Sequence, residues 1–260
     1  SLNYDTFSKI LARTIRIFTL GFALNFFSKI KLGNLDNIPL ALIRLLIMLV
    51  IGYLLLKPFE TAKKLFWGVV LLTSLFISIY ADFTQFEYVR IPGVLQRLAI
   101  VYFIVINVHL FFKIKWQVGL SFALLIGYQL VLFYIKIDGF GATLEPETNI
   151  GAWLDQKILG NHLWVVSKTW DPEGILSTTG AVVSGIVGLW LGYAIKQKIK
   201  LSKIIISAIA MLLISTFWDI FFPINKSLWT SSYVLYTSGL AILLFSLFQF
   251  LDQKFGFKPQ

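Results

Sequence analysis

The chain has 260 residues, of which 57% are hydrophobic and only 14% charged, with 24 Phe and 8 Trp. A soluble domain carries about 25% charged residues, so this composition excludes one and points to a membrane protein. The formal charge of +10 does not mark a nucleic-acid partner, because the basic residues sit in short loops between apolar runs and not on one basic face.

Apolar runs of roughly 17 to 24 residues, the length needed to cross a bilayer, predict eight spanning helices at about 10–27, 38–56, 65–81, 91–112, 116–136, 174–195, 201–222 and 228–250. The alternating strands of a membrane barrel are absent from the pattern. The expected fold is therefore an all-α, polytopic bundle of about eight transmembrane helices, in contact with lipid. No repeat or linker-like tract divides the chain, so 1–260 reads as a single domain with one long connection at about 137–173. Lys57, Lys63, Lys64, Lys113, Lys115, Lys196, Lys198, Lys200 and Lys203 fall in loops on one side, with most of the 23 basic residues. The positive-inside rule makes that side, and both termini, cytoplasmic and the 137–173 loop extracytoplasmic.

The fourth span opens on Arg90-Ile-Pro92-Gly-Val-Leu-Gln96-Arg97. Proline suits the first turn of a helix, and a helix starting near Ile91 carries Gln96 and Arg97 about two turns inward. A guanidinium there snorkels, meets a carboxylate or lines a wet cavity, which makes Arg90, Gln96 and Arg97 candidate cavity residues. His109, within the same run after Asn107, reads as a packed or interfacial side chain and not as a base. The long connection holds an amphipathic stretch, Ile150 to Leu159, suited to lying on the interface, with Trp153, Trp164 and Trp170 at the depth where such rings collect. His162 has no evident partner in the sequence.

Asp171-Pro172-Glu173-Gly174 is expected to start the sixth span, with Asp171 at the N-cap and Pro172 at the first helical position. Capping accounts for Asp171 better than for Glu173, since a second acid beside hydrocarbon needs water or a cation. Lys196, Lys198, Lys200 and Lys203 suit an anionic cofactor, although the positive-inside rule alone explains them more simply. The eighth span is led by Pro223-Ile-Asn225-Lys-Ser-Leu-Trp229-Thr-Ser231-Ser232, where Asn225 reads as a cap, Trp229 as an interfacial anchor, and Ser231 and Ser232 as residues bonding back to their own helix. Three polar mouths, at 90–97, 171–174 and 223–233, fall on the extracytoplasmic side and imply one cavity there. The chain has no cysteine, no Cys-ligated metal and no recognised hydrolase or metalloprotease motif; no metal site is expected.

VRIPGVLQRLAIVYF at 89–103, GAWLDQKILGNHLW at 151–164, WDPEGILST at 170–178 and PINKSLWTSSYVLYTSG at 223–239 together resemble the heparan-α-glucosaminide N-acetyltransferase family, polytopic transmembrane acyltransferases with bacterial members. The order and spacing agree across 89–250, while residues 1–88 match loosely as apolar spans. The resemblance implies transfer of an acetyl group from cytosolic acetyl-CoA, the acyl donor, to an amine or hydroxyl of an extracytoplasmic saccharide, in an integral protein of a bacterial inner membrane. It leaves a homo-oligomer open. In this family a histidine followed closely by a tryptophan in an N-terminal block is regarded as catalytic. Neither His109 nor His162 has that context, so the chain, which opens at Ser1 without Met, reads as the middle of such an enzyme and as inactive alone. The candidate site residues, Arg90, Gln96, Arg97, Asp171, Glu173, Asn225, Trp229, Ser231 and Ser232, are then supporting groups. A transporter or a non-catalytic relative using the same polar cavity is the alternative.

Overall fold

The computed structural model describes residues 4–27 and 87–256, with short stretches at 31–32, 38–39, 41–43, 45–46, 49 and 81–82 between them. In chain order these form α1 (Tyr4–Phe27), the paired strands β1 (Lys31–Leu32) and β2 (Ala81–Asp82), α2 (Val94–Phe111), α3 (Ile114–Tyr134), the hairpin strands β3 (Lys136–Ile137) and β4 (Phe140–Gly141), α4 (Ile150–Leu159), α5 (Thr178–Lys196), α6 (Leu201–Asp219) and α7 (Ser231–Phe255). Among the described residues α2, α3, α5, α6 and α7 are long and apolar enough to cross a membrane. The protein is an all-α polytopic membrane protein, as its composition predicts. The spans expected at 38–56 and 65–81 lie mainly outside the described residues.

Two compact units are present, one of residues 1–100 with 158–168 and one of 101–157 with 169–260, the boundary falling within α2. In the first unit, α1 meets the segment that leads into α2. Asn25 Nδ2 donates to the carbonyls of Arg90 at 3.0 Å and Pro92 at 3.3 Å. A Cβ on Gly21 would lie 2.6 Å from both Leu95 Cβ and Gln96 Oε1, so glycine is what permits that close approach. Residues 158–168 join the same segment: Ile91 N donates to the His162 carbonyl at 3.0 Å, His162 Nδ1 donates to the Val89 carbonyl at 2.8 Å, and Asn161 Nδ2 donates to Glu87 Oε1 at 3.0 Å.

These bonds explain where α2 starts. The backbone of 90–92 is committed to Asn25 and His162, so the helix begins at Val94, three residues later than a proline-led start predicts, and Arg97 N closes its first turn on the Gly93 carbonyl. Arg97 is therefore within the first turn and not two turns in. His162, without a partner on sequence grounds, has one in Val89.

The second unit is a helical bundle whose largest helix–helix contact is α6 against α7. Small residues form part of their interface: Ala208 is fully buried, a Cβ on Gly239 would sit 3.0 Å from the Ala208 carbonyl oxygen, and Ser215 Oγ donates to the Ser232 carbonyl at 2.8 Å. Small residues let helices approach where lipid supplies no hydrophobic drive between them. The opposite face of α6 shows Ile206, Ile209, Leu213, Phe217 and Ile220 outward, a stripe at helical spacing that suits hydrocarbon and not water. Polar side chains cross-link the helices inside: Trp190 Nε1 donates to Gln117 Oε1 at 2.9 Å, and Trp218 Nε1 to Gln129 Oε1 at 2.8 Å. Apolar cores fill the rest, one of Val105, Val108, Val182 and Ile186 and another of Val187, Ile204, Ala208 and Ile242.

The hairpin after α3 turns through left-handed residues Asp138, Gly139 and Ala142. At Gly141 a Cβ would fall 2.0 Å from the Ile135 carbonyl oxygen, so that position is closed to other residues. The hairpin returns the chain over the end of α3, and Trp153 on α4 donates to Asp138 Oδ2 at 2.9 Å.

Candidate functional site

A small cleft of about 20 Å³ opens in the second unit, room for roughly one water molecule or one small polar group. It is lined by Tyr128 of α3, Pro146 and Asn149 before α4, Gly151, Ala152 and Asp155 of α4, the segment Trp170, Asp171, Leu176 and Ser177, and Ser227 and Leu228 before α7. None of these lining residues is basic, and two are carboxylates.

Each wall has a local cause. Asn149 caps α4: its Oδ1 accepts from Gly151 N at 2.7 Å and Ala152 N at 3.1 Å, while its Nδ2 donates to the Glu145 carbonyl at 2.9 Å. That satisfies two of the orphan N–H groups of the helix start. One turn of helix further on, Asp155 is buried. Its Oδ1 accepts from Ile175 N at 2.9 Å and its Oδ2 from Asp171 N at 3.3 Å. A carboxylate away from water needs such donors. Gly174 allows the approach, since a Cβ there would lie 2.1 Å from Asp155 Oδ2. The floor is Tyr128, whose hydroxyl donates to the Leu228 carbonyl and whose ring packs with Leu132, Ile150, Phe222 and Leu228.

Residues 171–174 form a turn and not the start of α5. Gly174 N bonds the Asp171 carbonyl at 2.8 Å, and Asp171 Oδ1 accepts from Glu173 N at 2.9 Å, an Asx turn. The N-cap role expected for Asp171 is thus replaced by a turn cap, because Asp155 takes the N–H groups of Asp171 and Ile175 from outside the segment. The helix starts at Thr178. Asp171 is buried and lines the cleft, while Glu173 is half-buried.

The 223–233 segment places its polar groups differently. Asn225 Oδ1 accepts from Ser227 N at 2.8 Å and Leu228 N at 3.3 Å, again capping a turn and not a helix. Thr230 Oγ1 accepts from Asn225 N at 3.0 Å and donates to the Pro223 carbonyl at 2.9 Å. Ser231 Oγ donates across to the Leu125 carbonyl of α3 at 2.7 Å, where a bond to its own helix was expected, and Ser232 Oγ lies 3.1 Å from Thr230 Oγ1. Trp229 adopts φ of 55° and its indole N–H reaches Ser184 Oγ at 3.3 Å. Its carbonyl oxygen would be 2.5 Å from a Cβ on Gly180. None of Asn225, Trp229, Ser231 and Ser232 lines the cleft.

Arg90, Gln96 and Arg97 belong to the first unit. Arg90 lies over the Trp164 ring, 5.9 Å from its centroid, a cation–π pairing. Gln96 and Arg97 are both buried, and a Cβ on Gly93 would fall 2.6 Å from Gln96 Oε1. Of the candidate site residues named from the sequence, Asp171 alone lines the cleft. Tyr128, Asn149, Asp155, Trp170 and Ser227 were missed as lining residues. Asn149 carried a signal, an Asn before an amphipathic run. Asp155 carried none, because an acid in such a run reads as solvated. No group of three or more metal-ligating side chains occurs among the described residues.

No family model matches the chain. Among curated proteins it is similar to heparan-alpha-glucosaminide N-acetyltransferase of Mus musculus, 28% identical over 226 residues, covering 65% of this chain and 34% of the relative. The Homo sapiens protein of the same name is 26% identical with the same coverage. The match thus spans about a third of the length of these relatives. These similarities agree with the family that the ordered motifs resemble, the heparan-alpha-glucosaminide N-acetyltransferases.

Proposed function

We propose that the protein transfers an acetyl group from cytosolic acetyl-CoA to an amine or hydroxyl of an extracytoplasmic saccharide, and that the cleft of the second unit receives one hydroxyl or amine group of that acceptor. The cleft is the observation that supports this most. Asp171 is a hydrogen-bond acceptor in its lining and Ser227 both donor and acceptor, groups that suit a hydroxyl or amine of a sugar. A bound acetyl-CoA supplies the activated thioester carbonyl. The exposed Lys196, Lys198, Lys200 and Lys203 on and beside the α5–α6 turn are the chain's own cations suited to its phosphates.

The positive-inside rule orients the bundle with the α5–α6 turn in the cytoplasm and the cleft outside. In this cysteine-free chain, single cysteines at Glu147 and Lys196, both exposed, are expected to label from opposite faces of the membrane. Labelling of both by an impermeant maleimide on intact cells contradicts the orientation. The activity is tested with full-length protein in detergent, labelled acetyl-CoA, and amine-bearing and hydroxyl-only saccharides. Protein-dependent acetylation of a saccharide is expected; uptake of saccharide into proteoliposomes without acetylation would instead favour a carrier.

A further inference from the structure

We propose that Asp155 is a positioning residue for the acceptor: it sets the Asp171 carboxylate in the cleft by holding the 171–175 turn through that turn's backbone. The proposal rests on reading the cleft as the acceptor site.

Asp171 cannot choose its own orientation. Its Oδ1 is tied to Glu173 N at 2.9 Å, so the direction of its carboxylate follows the backbone of the turn. That backbone is held from α4 by the two oxygens of Asp155, which bond Asp171 N and Ile175 N. These two N–H groups are 16 and 20 residues from Asp155 in sequence, so the contact is tertiary. Gly174 completes the fit: any Cβ there would meet Asp155 Oδ2 at 2.1 Å and its Cγ at 2.8 Å. Three separate features, a buried acid, a turn with converging N–H groups and a glycine facing the acid, thus specify one geometry. Its chemical effect is to aim the Asp171 carboxylate with no adjustment needed when the acceptor arrives, which is the benefit of a preorganised site.

The test uses steady-state kinetics of the full-length protein with Asp155→Asn, Gly174→Ala, Asp155→Ala and the double variant Asp155→Ala/Gly174→Ala. The Asp155→Asn change keeps the shape and one accepting oxygen but turns an NH2 group toward one of the backbone donors. The methyl group added by Gly174→Ala pushes the turn off an intact Asp155. Both of these single variants are expected to raise KM for the saccharide at least tenfold while KM for acetyl-CoA stays within twofold. The double variant is expected to be no worse than Asp155→Ala, because removing the carboxylate also removes the clash; such non-additivity marks one shared contact. A lowered melting temperature with saccharide KM unchanged in Asp155→Asn and Gly174→Ala makes Asp155 purely structural and overturns the proposal alone. No transfer by the parent protein overturns the functional reading and the proposal with it.

Discussion

The turns that precede α5 and α7 look alike in sequence and do different work. Residues 170–177 and 223–232 each combine Pro, an Asx residue, Trp and hydroxyl side chains at the mouth of an apolar helix. In the first, the turn's N–H groups are satisfied from α4 by Asp155, and the Asp171 side chain lines a cleft. In the second, the polar side chains satisfy the turn itself: Asn225 and Thr230 take up its N–H and carbonyl groups, and Ser231 bonds a carbonyl of α3. A polar helix mouth near hydrocarbon must first satisfy its own backbone. Before α5 that duty is shared by Asp155 and Asp171, and before α7 by Asn225 and Thr230.

Four substitutions probe the difference, in falling order of expected effect on stability. Gly180→Leu drives a side chain into the Trp229 carbonyl oxygen, 2.5 Å from the nearest Cβ position, and backbone cannot yield cheaply. A loss of about 1–3 kcal/mol or more is expected from overpacking, measured as a lowered melting temperature. Thr230→Val keeps the shape but strands Asn225 N and the Pro223 carbonyl. Leaving buried groups unsatisfied costs about 1–3 kcal/mol, and the protein that remains folded should keep normal specific activity. Tyr128→Phe frees the Leu228 carbonyl at the cleft floor, so it should lower both stability, by roughly 1 kcal/mol, and saccharide affinity; a change in stability alone would detach the floor from the site. Ser215→Ala removes one bond between α6 and α7, and an interhelical bond of this kind is worth about 0.6 kcal/mol in a membrane.

The helices were legible because a bilayer demands long apolar runs whatever packs beside them. The ends of those helices were not. Pro92 and Pro172 both read as first-turn residues, yet α2 and α5 start two and six residues after them, at Val94 and Thr178, because Asn25, His162 and Asp155 bond the preceding backbone from afar. The same cause hid the site. Asp171 was visible as an acid beside hydrocarbon, whereas Asp155 sits between Leu154 and Gln156 in a stretch whose period says interface. Its burial follows from N–H groups 16 and 20 residues away, which no local pattern encodes. Asn225 and Ser231 illustrate the converse, polar residues whose partner is the protein's own backbone.

On the proposed function, the turn before α5 serves the acceptor and the turn before α7 serves the fold. Full-length Asp171→Asn and Ser231→Ala, assayed side by side for kcat/KM with the saccharide and normalised to folded protein, test it most directly. Asp171→Asn should lose at least tenfold, about 1.4 kcal/mol of transition-state stabilisation, while Ser231→Ala should stay within twofold despite a lower melting temperature. The reverse pattern, a silent Asp171→Asn and a crippled Ser231→Ala, would contradict the account.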